Sequence, residues 1–212
     1  MIEKRFSNGH VKIEKREEGQ SVLVGYGAVF HREGDAGTEY QLWPGLVERV
    51  GTNAFNRAIS EKQDVRGLFN HDANFVLGRT KSNTMKLSVD SVGLRYEIEL
   101  DDDAESQRIA KKIERGDIDG SSFSFRPTAV RFEELDNGTE VRILEDVDLY
   151  DVGPVTFPAY EGTTAGSRSQ SDEAIMKEWE SWKQEKAQRS TEMIAAEHKQ
   201  RVAELTIGDS DL

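Results

Sequence analysis

Cysteine is missing from all 212 residues. That excludes a disulfide framework, a thiolate zinc site, an iron–sulfur cluster and a cysteine nucleophile. Covalent catalysis is left to Ser, Thr, Lys, Asp, Glu, His or Tyr. Long apolar runs are absent too: none approaches the ~18 residues of a membrane span, and the N-terminus, MIEKRFSNGHVKIEKREEG, lacks the apolar stretch of a secretory signal. A soluble, intracellular protein is expected, with no membrane partner. Basic charge is in short supply, with 28 Lys plus Arg against 40 Asp plus Glu and a net charge of −12, so broad binding to nucleic acid is not expected either. The length suits one domain with an appendage. A hydrophobic fraction of 36% beside a charged fraction of 32% implies that part of the chain stays outside the core.

The pattern places most of that core before residue 160. VKIEKRE and SVLVGYGAVF read as two strands, and Gly25 and Gly27 suggest a bulge or tight curvature in the second. Tyr40 to Val50 is extended but broken at Pro44 and Gly45, and Thr52 is placed to cap a short helix carrying Phe55, Ala58 and Ile59 on one face. Asp64 to Thr80 reads as strand, polar turn, strand. MKLSVDSVGLRYEIELDD alternates about Asp90-Ser91 as a hairpin with one buried face. A helix follows, with Asp102 as N-cap, Glu105 three residues on, Ile109 and Ile113 on one face, and Gly116 as stop. A long hairpin around Asn137-Gly138 completes roughly seven or eight strands and two short helices. The fold class expected is mainly β with flanking helices (α+β), an antiparallel sheet curled into a barrel. The domain plan is 1–160 as the β-barrel, 161–171 as a small-polar linker, 172–206 as a charged helix and 207–212 as an acidic terminus. Along that helix Ile175, Trp179 and Trp182 begin a thin apolar stripe. It suits docking to a partner, to a second copy or back onto its own domain.

Among four histidines, His10, His31 and His198 read as surface residues. His71 stands between polar neighbours at the end of an apolar strand, where a side chain is held by a rigid element yet open to solvent. In GDIDGSSFSFR the alternation of a strand puts Ser122 and Ser124 on one face and Ser121, Phe123 and Phe125 on the other. If the phenylalanines are buried, the two serines face outward, either as a nucleophile must or as ordinary residues of a wet face. Glu145, Asp146, Asp148 and Asp151 could each orient an imidazole, and composition does not choose among them. His71 with Asp72 could instead bind a metal, but no HExxH, HxH or clustered spacing supports it. No P-loop, dinucleotide fingerprint or GxSxG elbow is present.

Together, LFNHD (68–72), GDIDGSSFSFR (116–126) and LYDVGPVTFPAY (149–160) resemble the prohead maturation proteases of tailed phages. That family shows an N-H-D-type segment, a G-x-x-x-x-S-F-x-F segment and an L-x-E-V-S-x-V-x-x-P-A-Y segment in this order. The likeness also takes in GYGAVF, Pro44-Gly45 and Phe55 to Ile59, and so spans residues 20 to 165. It implies a serine endopeptidase similar in fold to the herpesvirus assembly proteases. By motif position Ser122 would be the nucleophile, His71 the general base and Asp151 the orienting acid. Ser124 and Asp148 stand as alternates, and the backbone at Phe123 and the guanidinium of Arg126 as oxyanion candidates. No cofactor is implied.

The sequence departs from the motif at three positions. Asp151 stands where the family usually has the longer Glu, Ser124 where Gly is common, and Gly153 where Ser is usual. By resemblance the substrates are the scaffold, or the scaffolding segment of the major capsid protein, and the protease itself, inside the immature prohead in the host bacterial cytoplasm. The helical tail would pair with scaffold helices or be a self-cleaved extension, and a homodimer follows by analogy with the herpesvirus enzymes. A competing expectation is a capsid-assembly or scaffold-binding protein that keeps the fold without turnover. Another is a metal-dependent hydrolase using His71 and Asp72.

Overall fold

In the computed structural model residues 2–7, 11–16, 20–157 and 170–208 are described. His10, positions 161–169 of the expected linker and the last four residues lie outside them. In chain order the elements are β1 (Glu3–Ser7), β2 (Val11–Lys15), β3 (Ser21–Val29), β4 (Tyr40–Trp43), β5 (Leu46–Val50), α1 (Asn56–Ser60), β6 (Arg66–Leu68), β7 (Val76–Arg79), β8 (Met85–Val89), β9 (Gly93–Glu99), α2 (Ala104–Glu114), β10 (Gly120–Glu134), β11 (Glu140–Val155) and α3 (Gln170–Gly208). Contacts divide the chain into two compact units, Met1–Gly166 and Ser167–Leu212.

The first unit is mainly β with short helices, in two sheets. One is antiparallel, in the order β2-β3-β9-β8; the other runs β1-β10-β11-β5-β4, with β6 bridging β11 and β7. Alternation drives both: Leu94, Tyr96 and Ile98 of β9 and Phe123 and Phe125 of β10 all have 0% exposure. The rings of Phe123 and Phe125 stack at 4.6 Å, and Phe55 meets Phe123 edge-on at 5.6 Å. Gly27 of β3 faces Val152 of β11 across the two sheets, and the β3–β9 ladder shifts register between Tyr26 and Ala28. The bulge expected from the two glycines is there.

A single antiparallel barrel is not what forms. Among the described residues the ladders do not close into a ring, and the larger sheet is mixed. β11, 16 residues long, takes β5 in parallel at Glu140–Leu144 and β6 in parallel at Asp151–Val152. These pairings join segments far apart in sequence, so no local pattern announces them. Eleven strands form among the described residues where seven or eight are expected; two of the additions are β1, from the charged N-terminal segment, and the extra strand made where Tyr40–Val50 splits into a hairpin. Two caps also move. Asp103, not Asp102, accepts from the amides of Glu105 (2.8 Å) and Ser106 (3.1 Å); three successive aspartates look alike in sequence, and the one that caps stands directly before the helix with extended backbone. α1 starts after Phe55 with no side-chain cap, so Thr52 does not serve.

The second unit is α3 alone among the described residues. It runs 39 residues, and every residue from Lys183 to Arg201 is exposed, Met193 and Ile194 included.

Candidate active site

β10 and β11 run antiparallel with Ser122 opposite Gly153 and Ser124 opposite Asp151. Residues directly opposite share a face, so Ser122, Ser124 and Asp151 lie together, away from the phenylalanine core. A third element must bring the imidazole to that face. β6 lies parallel to the end of β11, and after Leu68 the chain turns with both Asn70 (φ 55) and His71 (φ 57) left-handed. Asn and His enter that region more readily than most residues, but two in succession need surroundings that hold them there. Asn70 anchors the turn: its amide donates to the Pro154 carbonyl (3.0 Å), its Oδ1 accepts from the Thr156 amide (2.8 Å), and its Nδ2 donates to Thr156 Oγ1 (3.1 Å).

Thus aimed, His71 Nε2 lies 2.5 Å from Ser122 Oγ and Nδ1 lies 2.5 Å from Asp151 Oδ1. With Nδ1–H donating to the carboxylate, Nε2 is left to accept from the serine hydroxyl. Ser124 Oγ donates to the other carboxylate oxygen, Asp151 Oδ2. The structure therefore brings together Ser122, His71 and Asp151, and adds Ser124 behind the acid. A chain of hydroxyl, imidazole and carboxylate is what proton relay from a serine requires.

A model of the caudovirus prohead serine protease family matches residues 9–178. The chain belongs to that family. Comparison with curated proteins found no match. Among solved structures it is similar to the bacteriophage T4 capsid assembly protease, at 10% identity and a TM-score of 0.47, covering 73% of this chain and 97% of that one.

The remaining sequence candidates fall elsewhere. Asp148 faces Arg57 (2.8 Å), Gln63 (3.3 Å) and Arg126 Nε (3.2 Å). Hydrogen bonds from Arg126 and Arg57 hold its carboxyl below the usual range. Arg126 is thereby committed to Asp148, four positions along β10 from Ser122. Phe123 buries its ring in the core, while its backbone lies in the ladder between β1 and β11. Among the described residues no three His, Asp or Glu side chains gather as a metal site needs, and no helix is long and apolar enough to cross a membrane.

Two features escaped the sequence. The serine face is not wet: Ser122 is 0% and Ser124 2% exposed, because β1 and the His71 turn cover it. Gly153 is imposed by the backbone, since a Cβ there would stand 2.0 Å from the Leu68 carbonyl oxygen. In this chain β6 passes that close just before the turn that carries His71, so a side chain at position 153 would displace the strand leading to it.

Proposed function

We propose that this chain is the serine endopeptidase of a phage prohead, cleaving the scaffold or the scaffolding segment of the major capsid protein, and itself, during maturation in the host bacterial cytoplasm. The observation that carries this reading is the continuous chain Ser122 Oγ, His71, Asp151 with both links at 2.5 Å. Ser122 Oγ attacks the scissile carbonyl as His71 Nε2 takes its proton. The imidazolium so formed is stabilised by Asp151, then protonates the leaving amine, and the ring later activates water to release the acyl group. Kinship in fold with the herpesvirus assembly proteases, self-association, and a role for α3 in pairing with scaffold helices belong to the same reading.

The test is the intact mass of wild type and of Ser122→Ala after incubation with the cognate capsid precursor. Trimming of precursor or protease by wild type alone is the expected result; no cleavage by either, with binding retained, would withdraw the assignment. The burial of Ser122 favours a second reading, an assembly module without turnover. A fluorophosphonate that labels wild type and not Ser122→Ala separates the two.

Ser124 takes a positioning role in this scheme. Asp151 is anchored on one oxygen by His71 and on the other by Ser124, whose hydroxyl holds a short carboxylate across the strand pair. Ser124→Ala is expected to lower kcat about 10- to 100-fold, the scale of a slightly misplaced catalytic group, with KM unchanged. Ser124→Thr, which keeps the hydroxyl, should recover most of it. A loss of thermal stability without that split would reduce Ser124 to packing.

A further inference from the structure

A nucleophile with no exposed surface needs a cover that can leave. The cover over Ser122 is β1. Its five residues pair with β10 from Ser121 to Phe125, with Phe6 directly opposite Ser122. Phe6 and His71 meet edge-on with ring centroids 6.0 Å apart. The Arg5 carbonyl oxygen lies 2.8 Å from Ser122 Oγ. A serine hydroxyl has one hydrogen, and here it has two acceptors within reach, His71 Nε2 and the Arg5 carbonyl. Whenever the hydrogen points to Arg5, it is not on the path to the base.

The way β1 is fastened suits removal. It is the end strand of its sheet, joined by a ladder on one side among the described residues. Its buried charges are balanced within the strand, Arg5 pairing with Glu3 at 2.7 Å. The body of the domain is balanced as well, Arg142 pairing with Glu48. Docking joins the two pairs, through Arg5 to Glu48 at 2.5 Å and Arg142 to Glu3 at 3.1 Å. Departure leaves neither half with an uncompensated buried charge, the situation that makes breaking buried ion pairs costly. β1 also precedes the residues that the family model matches, 9–178.

We propose that β1 is a removable intramolecular plug. Docked, it hides Ser122 and diverts its proton; lifted, it frees the β10 edge for an extended peptide to pair in its place. The inference rests on Ser122 and His71 acting as nucleophile and base. It makes the structure the resting form of the enzyme, with activity limited by the fraction of time β1 is away.

The test uses the full chain and a fluorophosphonate probe. Phe6→Ala removes the ring over His71 but keeps the backbone ladder, and is expected to raise the labelling rate about five- to tenfold by raising the open fraction. In wild type, the amides of residues 3–7 that hydrogen-bond to β10 should exchange slowly before labelling and fast once the adduct occupies Ser122, and this arm stands even if Phe6→Ala fails to fold. Equal labelling rates, or a β1 that stays protected in the adduct, would overturn the plug while leaving the protease reading intact, provided Ser122→Ala is not labelled. No labelling of wild type or Phe6→Ala would overturn the protease reading and the plug with it.

Discussion

Alanine at either Ser122 or His71 is expected to abolish peptide hydrolysis, and alanine at both to do no further damage. Each residue is useless to the reaction without the other. Without His71 the hydroxyl keeps its proton, and without Ser122 the imidazole has nothing to activate in the acylation step. Single losses in kcat should reach about 10^4-fold or more, and the double variant should sit at the same floor, because groups acting as a unit are grossly non-additive. Asp151→Asn should approach that floor through the tautomer. An amide at Oδ1 can donate to Nδ1, which turns the Nε2 proton toward Ser122 and leaves the base unable to accept. The measurement is kcat for the single and double variants on one capsid-derived peptide. Multiplying losses would mean that the two residues act independently, and the hydrogen-bond chain would then not be a relay.

The hydrogen-bonded trio of Ser122, His71 and Asp151 could be named beforehand because its members lie in three ordered motifs, and because strand alternation already put Ser122 and Ser124 on one face. The paired strands of the β8–β9 hairpin and the β10–β11 hairpin were equally readable, since Asp90-Ser91 and Asn137-Gly138 turn the chain between alternating runs. What escaped is non-local. Parallel pairing of β11 with β5 and β6 depends on segments that no window holds together. Glu3, Arg5, Glu48 and Arg142 look like the wet faces of their strands, yet Glu48 and Arg142 are fully buried because the partners of opposite charge come from positions up to 139 residues away. The same distance hid β1. A charged N-terminal segment reads as a solvated end until the socket for its charges is known, and its presence over Ser122 inverts the expected exposure of the serine face.

That socket carries the second large effect. Arg142 reaches Glu3 and Glu48, and Arg5 reaches the same two acids from β1. Burial works against the Arg5 charge, but the field and hydrogen bond of Glu48, with Glu3 behind it, leave its pKa raised above the ordinary arginine value. Arg142→Met keeps the volume and removes the charge, so two buried carboxylates are left to share Arg5. Unfolding in urea should show a loss of roughly 3–5 kcal/mol with an unchanged slope, the cost of stranding a buried charge. Adding Glu48→Leu to Arg142→Met removes the stranded acid and leaves the Glu3–Arg5 pair within β1, so the double variant should be more stable than Arg142→Met alone. A double variant less stable than the single would mean that the cluster acts through shape and not through charge balance. β1 would then have no balanced socket to leave, and the argument for its easy departure would lose its footing even if Ser122 proves to be the nucleophile.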